Sequence, residues 1–379
     1  MATTSSLPNF KYGPGLGSNT KNLNLDLELQ TLRDTKQEVA KVSNTKIETK
    51  ESFEDIVDFS KDAVLASHEL VAHKINLLVP KNQDQKETLE RSDKLHTSEG
   101  LEDSKSSQKG LDTGTVSKTI VLEINSSQSH VASTITVVAE ENSSSTIFVE
   151  SKCKNPILQS TVIQVIAKPN STLNITTKNL NSAKINLIYT KTQIQKGASI
   201  TITDDLTITN NKNKDSFTSL RVDQNNISQN ATAKTFTSFI QNQTQQFDLK
   251  TKIHHLANNT SGKMLARGVL QDNSKVSFQG KIHVPKNTID TTSHQNFKVL
   301  TLGDKTSCDA VPVLDIHNDD VSVSHGVALG RIDEEQLFYL QSKGISKEKA
   351  IQIISQGFLN QALINMPKSN QNQQGDDLQ

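Results

Sequence analysis

From Ile120 to Ile208 the chain repeats one small pattern, and few folds can accommodate it. Aliphatic residues come two positions apart: Ile120, Leu122 and Ile124, then Ile135 and Val137, Ile147 and Val149, Ile163 and Val165, Leu173 and Ile175, Ile185 and Leu187, Ile200 and Ile202, Leu206 and Ile208. In a strand, residues two apart share a face, so each group predicts a short, half-buried strand. The groups recur at intervals of about 10–15 residues, separated by Asn, Ser, Lys and Gly turns. No helical crossovers intervene, and tight hairpin dipeptides are few. A sandwich gives a similar pattern. The long, even repetition with small polar corners instead favours a coiled β-solenoid with stacked interior rows of Ile, Val and Leu. Each coil of such an array buries its apolar face only against the next.

Composition narrows the function. The 379 residues suffice for two domains with real cores. Lys plus Arg equals Asp plus Glu, at 41 each, so there is no net field to hold nucleic acid or anionic lipid. With 12 Phe, 3 Tyr and no Trp, a base-stacking platform is not expected either. An apolar content of 33% is low enough to accompany disorder, but the regular placement of the aliphatic residues argues for many thin strands. The two cysteines, Cys153 and Cys308, lie far apart, which excludes a disulfide framework and points to a reducing, cytoplasmic setting. No run is long enough to span a membrane, and residues 1–20 lack the apolar stretch of a signal peptide. The sequons at Asn142, Asn170, Asn174 and Asn230 read as by-products of a chain rich in Asn, Ser and Thr.

Four regions follow. Residues 1–116 form a flexible and helical N-terminal region with a polar linker, 117–330 the β-helix core, 331–366 a small helical domain, and 367–379 a disordered tail. Gly13-Pro14-Gly15-Leu16-Gly17 has no preceding strand, so it reads as part of a mobile tail rather than a phosphate loop. Phe53, Ile56, Val57, Val64, Leu65, Leu70, Val71, Ile75 and Leu78 predict a helical stretch over 50–79. Within it His68 and His73 resemble a zinc-protease pair, but five-residue spacing turns them about 140° apart on a helix, so they are no metal site. Near the C-terminus Asp333 predicts an N-cap with Gln336 at the third helical position. Leu337 and Leu340 share a face, and Gly344 ends that helix. Ser346 caps a second helix, with Glu348 near its positive end and an apolar stripe of Ala350, Ile353, Ile354, Phe358 and Ala362. These helices are expected to lid the open end of the solenoid.

Residues 311–366 carry the most specific motif. Leu314-Asp315-Ile316 precedes an Asp319-Asp320-Val321 step. Then come Ser324-His325-Gly326, the run Ile332 to Leu340 (IDEEQLFYL) and Lys343-Gly344-Ile345. Upstream, Arg267-Gly268-Val269 leads to Phe278-Gln279-Gly280-Lys281-Ile282, followed by Asp304-Lys305 and Pro312. This constellation resembles the SufB/SufD family, scaffold proteins of the Suf iron–sulfur cluster assembly machinery, over roughly residues 117–366. The resemblance implies a mainly β fold with α-helical ends, built on a right-handed β-helix. It implies a non-catalytic subunit that pairs with a SufB-like protein edge to edge through its late strands. The helical domain would dock a SufC-like ATPase, through Leu337, Leu340, Ile354 and Phe358, and ATP-driven closure of that partner would twist the scaffold. His325 would face a cysteine of the SufB-like partner where a nascent cluster assembles, with no cofactor in the isolated chain. Many members carry a cysteine two residues before that histidine, where this chain has Val323. Cys308, one strand earlier, is a spatial substitute or simply a small buried residue, and Cys153 is given no role. The Ser-His-Gly form, in place of a His-Glu-Ala-Ser-type segment, reads as SufD-like.

Other chemistries find less support. Ser261-Gly262-Lys263 lacks the glycine-rich loop of an ATPase. His317, Asp319 and His325 would line one strand face if a single strand ran through Val323, but a histidine beside carboxylates is more often solvated than a ligand. A carbohydrate-active β-helix would need clustered Asp or Glu on one face, and the only adjacent Asp pairs before the tail, Asp204-Asp205 and Asp319-Asp320, have no fixed spacing to each other. An adhesive solenoid explains the polar strands but not the motif at 311–366.

Overall fold

The computed structural model describes residues 73–79, 118–124, 129–153, 156–207 and 214–363. Its strands are β1 (His73–Val79), β2 (Lys118–Ile124), β3 (His130–Ala139), β4 (Ser144–Ser151), β5 (Leu158–Ala167), β6 (Thr172–Lys178), β7 (Ile185–Ile194) and β8 (Ser199–Leu206). They continue with β9 (Phe217–Asn226), β10 (Thr232–Gln241), β11 (Gln246–His255), β12 (Ser261–Leu270), β13 (Lys275–Val284), β14 (Thr291–Thr301), β15 (Ser307–Ile316) and β16 (Val321–Arg331). Two helices follow, α1 (Glu334–Ser342) and α2 (Lys347–Leu363).

Odd-numbered strands form one eight-stranded sheet and even-numbered strands another. The chain therefore crosses from sheet to sheet at every corner, and each strand pairs in parallel with the strand one coil earlier, as β3 with β5 and β12 with β14. This is the expected β-solenoid. Ladder register sets the interior rows: Ile135 stacks on Ile163 and Val137 on Val165, all with essentially no exposed surface. Burying one such side chain stabilises the fold by about 1.5–3 kcal/mol, and only the neighbouring coil supplies the cover. Farther along, aromatic rings fill the interior. Phe278 and Phe297 stack with centroids 4.2 Å apart, and Phe239 lies 4.7 Å from Phe247.

The corners explain the asparagine-rich composition. Asn142, Asn170, Asn230 and Asn259 adopt positive φ, the left-handed conformation that asparagine tolerates better than most residues. Asn142 and Asn170 belong to stacked corners, with the Asn170 amide donating to the Asn142 side-chain oxygen at 3.3 Å. The residue after such an asparagine folds back: Ser171 Oγ donates to the Lys168 carbonyl at 2.7 Å, and Thr260 Oγ1 to the Ala257 carbonyl at 3.2 Å. Three of the four sequons are thus turn chemistry; Asn174 lies inside β6.

Three expectations are corrected. Residues 73–79 are a strand, not the end of a helix: β1 pairs in parallel with β3, matching Leu77 to Val137 and Val79 to Ala139. Leu77 and Val79 are two apart and both buried, so period-two burial on an existing sheet edge outweighs the helical spacing of the local sequence. Second, the helices do not lid the solenoid. Helix α2 packs on the outer face of β10 and β12, where Ser238 Oγ reaches the Leu359 carbonyl at 3.5 Å and the Arg267 guanidinium lies 5.8 Å from the Phe358 ring. Third, Ile353 is 44% exposed, while Ala350, Leu359 and Ala362 are buried. The remainder of the 50–79 helix, His68, the linker over 81–116, Ile208 and the tail after 366 lie outside the described residues.

The caps are as expected. The Asp333 carboxylate accepts from the backbone N–H groups of Glu335 and Gln336, at 2.9 and 3.4 Å. Gly344, at φ +84°, closes α1 with its N–H on the Gln341 carbonyl, while Ile345 N–H reaches back to Leu340. The Ser346 hydroxyl accepts from Lys349 N–H at 3.3 Å.

Candidate functional site: the open terminal coil

Among the described residues, strands β15 and β16 are the last in their sheets, paired on one side only. Register identifies which of their side chains continue the interior rows. Cys308, Ala310, Pro312, Leu314 and Ile316 of β15 lie over Val276, Phe278, Gly280, Ile282 and Val284. Val321, Val323, His325, Val327 and Leu329 of β16 lie over Thr291, Ser293, Gln295, Phe297 and Val299. The underlying rows of β13 and β14 are buried, whereas the terminal row is half-buried or exposed, with Leu314 at 36%, Val327 at 37% and Leu329 at 51%. The coil therefore ends in apolar positions that another layer of chain would bury.

His325 belongs to this row. It is exposed, two residues from half-buried Val323 on the same face, and in register with buried Gln295. Its neighbours point the other way: Ser324 Oγ hydrogen-bonds His294 Nδ1 at 2.7 Å on the outer face. A Cβ at Gly326 would lie 2.9 Å from the end of the Asn296 side chain, which would have to shift. Within the Ser-His-Gly motif only the histidine presents its side chain in the terminal row.

The structure separates other residues that the sequence grouped. His317 follows β15, Asp319 sits in the turn, and His325 is on β16 in the opposite sheet, so the three do not line one strand face. His317 Nε2 instead meets Asp315 Oδ1 at 2.8 Å. Cys308 does lie in the terminal row, but burial, reinforced by Asp309, pushes its thiol up to about 12, leaving it protonated and a poor nucleophile. Cys153 lies after β4, its thiol 3.6 Å from the Ile124 carbonyl. The two Asp pairs do not cooperate. Asp204 is wholly buried in β8 against Thr177, and Asp319-Asp320 precede β16, four ladders away. At about 4.8 Å per ladder the separation far exceeds the carboxylate spacing of a glycosidase.

On the helices, Leu337, Leu340, Ile354 and Phe358 are half-buried. The outward apolar surface is formed by Phe338 at 73% exposed and Tyr339 at 60%, which the helical pattern passed over, and by Ile353 at 44%, which the expected stripe had turned inward. A shallow groove beside them is lined by Asp333, Glu335, Gln336, Tyr339, Leu340 and Ile354. The aromatic pair in Leu337-Phe338-Tyr339-Leu340 was the available signal, since two successive large rings cannot both face inward on one helix. No described helix is long and apolar enough to cross a membrane.

Comparison with known proteins agrees with this architecture. Residues 122–358, more than half of the chain, match the family model described as SUF system FeS cluster assembly, SufBD core domain. Similar proteins include the iron–sulfur cluster assembly protein SufB of Bacillus subtilis, 34% identical over 30% of this chain and 25% of that protein. SufD of the same organism is 35% identical over 33% of this chain and 28% of that protein. A SufBD family protein of Mycobacterium leprae is 26% identical over 54% of this chain and 23% of that protein. The chain thus spans about a quarter of the length of these relatives. With the parallel two-sheet solenoid and the matched core, the chain belongs to the SufBD family of iron–sulfur cluster assembly proteins.

Proposed function

We propose that the chain is a SufD-like, non-catalytic scaffold subunit that pairs with a SufB-like subunit through its terminal coil and binds a SufC-like ATPase through α1 and α2. The observation that carries this reading is the unfinished stack at β15 and β16, an apolar row with His325 in its midst. A second solenoid set end to end would bury Leu314, Val327 and Leu329 and extend both ladders without new architecture. His325 would then offer an imidazole nitrogen across the joint. Nitrogen and thiolate donors are the types that hold iron and sulfide. With Cys308 protonated and Val323 where relatives carry cysteine, the thiolate comes from the partner. The nascent cluster is cargo at the joint, and the isolated chain holds no cofactor.

The exposed Phe338, Tyr339 and Ile353 surface supports docking of an ATPase on the outer side of the helices, since α2 already uses its other side on β10 and β12. The Ser324-His325-Gly326 form favours SufD-like over SufB-like. Work in a reducing, cytoplasmic compartment is consistent with two free cysteines.

Co-expression tests the reading. With SufB-like and SufC-like partners the chain is expected to co-elute as one complex, and alone to be colourless. Stoichiometric iron with brown colour in the isolated chain would overturn the division of labour.

A further inference from the structure

A second constellation lies on the outer face of the odd-strand sheet. His283 of β13 and Asp315 of β15 are register partners, and His317 lies two residues beyond Asp315, on the same side. Asp315 divides its carboxylate between them: Oδ2 is 3.0 Å from His283 Nδ1, and Oδ1 is 2.8 Å from His317 Nε2. The three donor atoms all lie within 4.8 Å of one another. On the other side, His254 is in register with His283, its ring centroid 5.6 Å away. Burial lowers the His254 pKa.

We propose that His283, Asp315 and His317 form a binding site for a divalent transition-metal ion of the Zn²⁺ or Fe²⁺ class. Two imidazoles and one carboxylate are a donor set these ions favour, with remaining positions open to water. Donors on one such ion sit about 2.0–2.2 Å from it, so the three must draw closer on binding, and exposed His317 is the one with most room to move. Register fixes His283 against Asp315, and His317, the first residue after β15, is held to the same ladder by its N–H on the Val284 carbonyl at 2.9 Å. Lys281 is the resident competitor. Its ammonium lies 2.7 Å from Asp315 Oδ2, and it is one-third exposed, free to swing into water when an ion arrives. The site is separate from His325, which is in the other sheet, so it stands whether or not the scaffold reading holds.

The test uses the full chain without an affinity tag, freed of metal by chelation. Calorimetric titration with Zn²⁺ is expected to show one high-affinity equivalent that the double variant His283→Ala/His317→Ala loses. Asp315→Asn, which keeps the shape of the side chain, is expected to weaken binding about 10–100-fold. Lys281→Gln is expected to tighten it, because it removes the competing cation, and His325→Ala to leave it unchanged. Titration with Co²⁺ is expected to give visible bands of nitrogen and oxygen ligation. Equal uptake by the wild type and the double variant, no saturable uptake, or a thiolate charge-transfer band placing the ion on cysteine would each overturn the proposal.

Discussion

His325 stands in register with Gln295, the exposed last member of a row whose preceding member is fully buried. Both side-chain amide atoms of Gln295 are buried without a hydrogen-bond partner among the described residues, so the histidine lies over a polar point of the interior row. Replacing His325 by Ala removes an exposed side chain and is expected to change stability by less than about 0.5 kcal/mol. Cluster assembly in the complete complex is expected to fall more than about tenfold, as for loss of a ligand or its orienting group. Denaturation of the isolated chain and reconstitution of the complex separate the two effects. Wild-type assembly by a complex of normal composition would remove His325 from the site. Val323→Cys, half-buried on the same face, is expected to fold normally.

The helices give opposite outcomes on their two sides. Phe358→Asp places a carboxylate beside the β10–β12 face and is expected to release α2, destabilising the chain by about 1–3 kcal/mol. Phe338→Asp and Tyr339→Asp alter exposed rings and are expected to leave the melting curve unchanged while weakening ATPase binding. Thermal melts with pull-down of the ATPase distinguish them. ATPase binding that survives both exposed substitutions would place the dock elsewhere.

Gly268, within Arg267-Gly268-Val269, faces the Phe239 ring so closely that an added Cβ would overlap it. Gly268→Ala must push the ring against Phe247 and Phe297 and is expected to cost about 1–3 kcal/mol. Gly330, which has open space around it, is the control. Similar chemical-denaturation midpoints for Gly268→Ala and Gly330→Ala would contradict this account of the glycine.

Asp204 is wholly buried, and desolvation pushes its carboxyl up to about 7 despite the opposing hydrogen bond from Thr177. Between the unfolded value near 3.8 and about 7, the folded chain keeps a proton that the unfolded chain has lost. Stability from this group is therefore fully present below pH 4 and lost as pH rises toward 7, with a slope of up to about 1.4 kcal/mol per pH unit. Asp204→Asn removes the titration. Its stability relative to wild type is expected to increase from pH 5 to pH 8, measured by urea denaturation at each pH. A constant difference would mean that Asp204 ionises freely in the fold.

The aliphatic pairs from Ile120 to Ile202 were legible as strands, because alternation is a local property and one face must be buried; Leu206, expected to begin a further strand, instead ends β8. The Asp333 and Ser346 caps and the Gly344 stop were legible for the same reason: a helix end is satisfied by its immediate neighbours. The sequence also carried the Ser324-His325-Gly326 motif and hence the family. Tertiary structure decided the rest. His73–Val79 became a strand because β3 offered an edge to pair with. Helix α2 lies on β10 and β12 rather than across the stack because Ser238 and Arg267, more than ninety residues earlier in the chain, meet Leu359 and Phe358. His283, Asp315 and His317 share one patch because successive coils align in register, which no window of sequence displays. Local periodicity determines which residues can be buried; contacts between distant coils determine which ones meet.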